Sequence, residues 1–84
     1  MITAQEAKER YLKQIDSYLI ELIRKLDIMI IHASNEGRDC IVLENFLFDY
    51  GVEIQNKIKH KLHNLGYYFK EINNHKDLYI SWNV

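Results

Sequence analysis

Between Thr3 and Gly37, apolar residues recur every three or four positions. Tyr11, Ile15, Tyr18, Leu22, Leu26, Met29 and Ala33 form one stripe; Leu12, Leu19, Ile23 and Ile30 form a second beside it. That spacing is the period of an amphipathic helix. Thr3-Ala-Gln-Glu6 reads as a capping box, in which the Thr3 hydroxyl accepts from the Glu6 amide and the Glu6 carboxylate reaches back to the Thr3 N–H. Glu6–Arg10, Glu9–Lys13 and Glu21–Lys25 add i,i+4 pairs in the favourable order. Gly37, after "HASNE", is the natural stop. The pattern predicts one long helix over residues 3–35.

The period then changes. "RDCIVLEN" is a short β-run with Cys40 and Val42 on one face and Ile41 and Leu43 on the other, which predicts an inner strand. "FLFDYG" reads either as a short helix or as an irregular approach to the next element. Ile54, Ile58, Leu62 and Leu65 define a second amphipathic helix, stopped at Gly66. In "GYYFKEINNHKDLYISW" two alternating runs flank a polar turn, which predicts a hairpin. Sharing one buried side puts Phe69 opposite Ile80 and Tyr67 opposite Trp82, with Asn73-Asn74-His75-Lys76 as the loop. A five-residue loop would set Lys70 against Ile80, which the pattern rejects.

The fold class is therefore α+β. A long N-terminal helix is followed by β-α-β-β, with the three strands in one small antiparallel sheet. The expected core is Ile41, Leu43, Ile58, Leu62, Phe69, Ile80 and Trp82, with Trp82 its largest member. The chain reads as a single domain, 1–84. Its helix, about 47–50 Å long at ~1.5 Å per residue, outruns a globule roughly 30 Å across. Residues 3–35 should project beyond the globular part, 36–84. An exposed apolar double stripe marks a protein contact, so Tyr11, Leu12, Ile15, Tyr18, Leu19, Leu22 and Ile23 are the candidate oligomer interface.

Composition sharpens this reading. A chain of 84 residues buries only ~60% of its unfolded surface, and small folds of this kind often need a staple. Cys40 is the one cysteine, so an internal disulfide is excluded and a reducing compartment expected. No zinc-ligand spacing is present. Self-association is the staple that remains. "MITAQEAKER" has neither the basic start nor the apolar run of a signal peptide. The apolar run Ile28–Ile31 is far short of the ~20 residues that cross a bilayer. A soluble protein with no membrane partner is expected.

Charge is uneven: residues 1–53 carry six Lys/Arg and ten Asp/Glu, residues 54–84 five and two, for a net −1. The basic half contains a polar helix face of Asn56, Lys57, Lys59, His60 and His63, with Lys70 nearby in the hairpin. This is the candidate anion or nucleic-acid face. A winged helix runs helix, strand, two helices and two wing strands; this chain fits if "NFLFDY" is the extra helix, with His75 and Lys76 at the wing tip. Yet with Gly51 as the turn, the apolar residue expected six positions later falls on Lys57, and Ile58 comes one later. A nearly neutral chain also argues against DNA, whose binding is driven by neutralised phosphates. A nucleic-acid partner is not favoured.

The residues offer little chemistry. His60 and His63 stand at i,i+3, a spacing that can hold a metal, but no third ligand is near in sequence. Cys40, with His32 as a base, sits in a strand expected to bury an inert thiol. No phosphate loop, nucleophile elbow or carboxylate pair appears. The expectation is no catalytic residue, no metal, no cofactor and no enzyme.

The hairpin carries one resemblance. Gly66-Tyr67-Tyr68-Phe69 and Tyr79-Ile80-Ser81-Trp82 follow the pattern GY-x-apolar…Y-x-I-S-W, preceded by a long helix with "A…EG", a short strand and a second helix. Over residues 26–84 this resembles many small phage-encoded α/β proteins. The resemblance implies a protein associated with the virion or directed at the host, working in the host cytoplasm or the particle, with no shared catalytic residues. The leading expectation is a non-enzymatic interaction protein that self-associates through its long helix and binds a protein partner. The alternatives are a winged-helix nucleic-acid-binding protein and an oligomer that sequesters a small anionic ligand.

Overall fold

A computed structural model describes residues 1–83. The chain runs α1 (Ala4–Asn35), β1 (Cys40–Leu43), α2 (Phe46–Asp49), α3 (Val52–Asn64), β2 (Tyr68–Ile72) and β3 (Asp77–Ser81). This is the α+β architecture expected, with "FLFD" settled as a single helical turn.

Local sequence explains the helix ends. The Glu6 amide donates to Thr3 Oγ1 at 3.1 Å, but the Glu6 carboxylate takes the Thr3 hydroxyl at 3.4 Å. Half of the capping box forms. At the other end Gly37 sits at φ 79°, its N–H donating to the Ser34 carbonyl and that of Arg38 to Ala33. Gly66, at φ 88°, closes α3 in the same way: its own N–H meets the His63 carbonyl and that of Tyr67 meets Leu62. Both are Schellman stops, which need a left-handed residue that glycine adopts without strain.

The sheet order is β1-β3-β2, all antiparallel. Phe69 pairs with Ile80, as the alternation requires, and the loop is residues 73–76. Tyr67 and Trp82 fall just beyond the ladder. The inner strand is β3, not β1, which corrects the expectation. The hairpin's second strand takes β1 on its free side, with Ile41 on Ile80 and Leu43 on Leu78. The second apolar face of β1 is turned out, where Val42 is exposed and Cys40 half-buried.

Helices α1 and α3 cover one face of this sheet. Ile15, Leu22, Leu26 and Ala33 of α1 join Ile54, Ile58 and Leu62 of α3, with Ile41, Leu43, Leu78 and Ile80 below. Phe46 completes the core with no exposed surface, while Phe69 and Trp82 are only partly buried at its margin. The largest core side chain is thus Phe46, not Trp82. Asn45 explains its entry: this residue turns left-handed (φ 57°), and its N–H is held at 2.8 Å by the buried Asp77 carboxylate. That turn drops Phe46 inward, 5.4 Å from the Tyr50 ring.

The molecule measures 52 × 26 × 19 Å, so α1 spans its long axis. The segment from α2 to α3 climbs along it, until the Tyr11 hydroxyl lies 3.6 Å from where a Cβ on Gly51 would stand. Ile15 is therefore buried and Leu19 half-buried, and neither lies on a bare projection. What projects is mainly polar: Gln5, Glu6, Lys8, Glu9 and Arg10.

Candidate functional site

Among the described residues three surfaces stand out. The first flanks α1. Of the residues expected at an oligomer interface, Tyr11, Leu12 and Tyr18 are exposed and Leu19 and Ile23 half-buried. Ile15 and Leu22 are not available to a second chain. Each is 3% exposed, packed into the core beside the α2–α3 segment, Ile15 near Tyr50 and Ile54, and Leu22 near Phe46 and Tyr50. Tyr11 and Tyr18 face Asp49 and Tyr50 across a groove of about 330 Å³ floored by Ile15 and Ile54. Phe48 and Val52 are exposed in the same α2–α3 segment, at 71% and 68%. An aromatic groove with apolar neighbours is the chemistry of a protein contact.

The second surface was not foreseen. Ile20, Ile28 and Ile31 are 59%, 63% and 60% exposed, on the side of α1 facing away from the sheet. Both stripes read from the sequence were in phase with the core, so apolar residues out of that phase escaped notice. Their i, i+8, i+11 spacing was the available signal.

The third surface is the basic face, which the fold divides. Asn56, Lys57, His60 and His63 are exposed on α3. Lys59 turns toward the sheet, where its Nζ lies 2.8 Å from Glu71. His75 meets the other Glu71 oxygen at 2.8 Å. The Lys59 ammonium, and after it the His75 hydrogen bond, hold the Glu71 carboxyl below its ordinary range. Lys70 does not join this set. Strand alternation sends it to the open side of the sheet, where its Nζ stands 5.6 Å over the Tyr79 ring. In its place Lys61, which the sequence reading omitted, lines a groove of about 500 Å³ with Asn56, Lys57 and His60 against Leu19.

The remaining polar residues are occupied locally. His32 pairs with Glu36 at 2.7 Å. Cys40 is half-buried at a sheet edge, not enclosed as expected of an inner strand. Among the described residues no cluster of His, Cys, Asp or Glu is placed to hold a metal ion. No described helix is long and apolar enough to cross a membrane.

No protein-family model, no curated protein and no solved structure matches this chain.

Proposed function

We propose that this chain is a non-enzymatic, phage-type interaction protein, which self-associates through α1 and binds a protein partner in the host cytoplasm or the virion. One observation carries the reading. Helix α1 leaves Tyr11, Leu12, Tyr18, Ile20, Ile28 and Ile31 exposed after its own domain has packed. Single exposed apolar residues are ordinary on protein surfaces, but a run of them along one helix marks a contact. The phage character rests on the hairpin pattern alone. The tyrosine groove suits the heterologous partner, since aromatic residues supply much of the binding energy in protein interfaces. Sedimentation at micromolar concentration tests the self-association: dimers or larger species are expected, and a folded monomer sinks it.

A winged-helix, nucleic-acid-binding reading has one observation in its favour. The element order, including the extra α2 and the β1-β3-β2 sheet, fits that pattern. Three features weigh against it. Helix α2 is a single turn of 4 residues, short for the helix that crosses the DNA backbone. Lys59 is engaged by Glu71, and Lys70 lies on the other side of the sheet. Duplex DNA should therefore bind weakly at physiological salt, whatever its sequence. If a mobility shift instead shows tight, selective binding, Lys57→Ala should lower the slope of affinity against salt by about one unit. The ligand-sequestering alternative would use the Lys57–His60–Lys61 groove, but nothing in its geometry selects an anion.

A further inference from the structure

The outward side of α1 holds a line of regularly spaced positions. Positions 17, 20, 24, 27, 31 and 34 are spaced alternately three and four, the spacing of a coiled-coil seam. They carry Ser17, Ile20, Arg24, Asp27, Ile31 and Ser34, and all are exposed. Arg24 and Asp27 enter none of the ion pairs formed among the described residues.

We propose that a second copy of this chain packs antiparallel along that line, in one register, an inference that rests on the self-association proposed above. Ile20 meets Ile31 of the second copy, Arg24 meets its Asp27, and Ser17 meets its Ser34. Twofold symmetry repeats each contact. The seam reads small, apolar, ion pair, ion pair, apolar, small.

Charge chooses this arrangement over its neighbours. Parallel, in-register pairing stacks Arg24 on Arg24 and Asp27 on Asp27, and like charges across an interface are strongly disfavoured. An antiparallel shift of one heptad sets Arg24 against Ile20 in one direction and Asp27 against Ile31 in the other, stranding a charge on an apolar side chain. Polar residues on a helical seam cost stability and fix register and orientation. Ile28 widens the apolar contact on one flank and half-buried Ile23 on the other. The geometry leaves room for two copies. Ile15, Leu22, Leu26 and Ala33 point α1 toward its own sheet, so the two bodies lie on opposite sides of the helix pair. The shared stretch, residues 16–35, gives a contact line of about 30 Å.

The test places Ser17→Cys and Ser34→Cys in separate chains, each also carrying Cys40→Ala, after sedimentation of the unmodified protein. Mild oxidation of the equimolar mixture should give a covalent dimer, and neither chain alone should cross-link. Sedimentation showing only monomers overturns this proposal and the self-association together. A dimer whose Ser17→Cys chain links to itself, or whose mixture does not link, overturns the antiparallel register and leaves self-association standing. A charge reversal gives an independent reading, because both residues are exposed and the fold should survive, as circular dichroism would verify. Arg24→Asp should weaken the dimer about tenfold or more, and adding Asp27→Arg should restore it. Dimerisation indifferent to Arg24→Asp also overturns the register.

Discussion

Helices α1 and α3 share an architecture and differ in what they leave unused. In α3, Ile54, Ile58 and Leu62 face inward and all are buried, while the outward side is Asn56, Lys57, His60 and His63. The fold of the chain accounts for every one of these choices, and the exposed apolar residue of α3 is Val52, in its first turn. In α1 the inward side is spent in the same way on Ile15, Leu22, Leu26 and Ala33. Its outward side still carries Ile20, Ile28 and Ile31. Isoleucine is a middling helix former, so exposed positions gain nothing from it by propensity. A helix that is apolar beyond its own core has a second surface to cover. That difference is the basis for placing the proposed self-association on α1 rather than on α3.

The largest effect should come from the side that is fully spent. Ile58→Ala in α3 should cost about 2–5 kcal/mol and Phe46→Ala about 3–5 kcal/mol, a large part of the stability of a domain this small. Trp82→Ala should cost less than Phe46→Ala, since Trp82 is only partly buried. Urea unfolding monitored by circular dichroism ranks the three. A Trp82 variant less stable than the Phe46 variant would return the tryptophan to the centre of the core.

That reversal of rank shows what the sequence could and could not convey. The hairpin register was legible because a one-residue slip turns every side chain to the other face, and Phe69 and Ile80 fix the phase. Helix α1 was legible from Thr3, its stripes and Gly37. Strand order was not: an apolar β1 reads as interior, and nothing local says that β3 takes the middle place. Phe46 was missed because its burial depends on the left-handed Asn45 and on Asp77, a partner 32 positions away. The candidate sites fared likewise. Exposure of Tyr11, Leu12 and Tyr18 was legible from the length of α1, whereas the cover over Ile15 and Leu22 comes from the α2–α3 segment. Lys59 and Lys70 were grouped by composition and are divided by the sheet.

The unspent side of α1 should behave in the opposite way. Ile20→Asp combined with Ile31→Asp alters two exposed residues, so the chain should still fold, its own stability changed by about 0.5 kcal/mol per surface substitution; any further gap in melting should narrow as the unmodified protein is diluted and its oligomer dissociates. Self-association should be lost, seen as a monomer by sedimentation at concentrations where the unmodified protein is larger. A double variant that unfolds, as an Ile58 variant is expected to, would erase the distinction between the two helices. Tyr18→Ala sharpens the contrast within α1. It lies in the tyrosine groove, away from the outward seam, and should leave the oligomer unchanged.

The smallest effect concerns acid, and it too should fall on the α3 side. Glu71 joins α3 to the hairpin through Lys59 and His75, and these contacts lower its folded-state pKa. Asp77 is lowered as well, first by the Asn73 side chain and then by the Asn45 amide. A carboxyl whose pKa is depressed on folding binds protons more readily when unfolded. Its contribution is therefore full above the ordinary carboxylate values of ~3.9 for Asp and ~4.3 for Glu. It is lost as pH falls past those values and through the folded-state pKa. Glu71→Gln should lower the melting temperature slightly at neutral pH, and the gap from the unmodified protein should close at low pH, where the native carboxyl is also neutral. Because Glu71 is partly exposed, the Lys59 pair is screened and the effect stays small. If the Glu71→Gln gap held constant from neutral to acid pH, the glutamate would be acting through packing rather than through its charge.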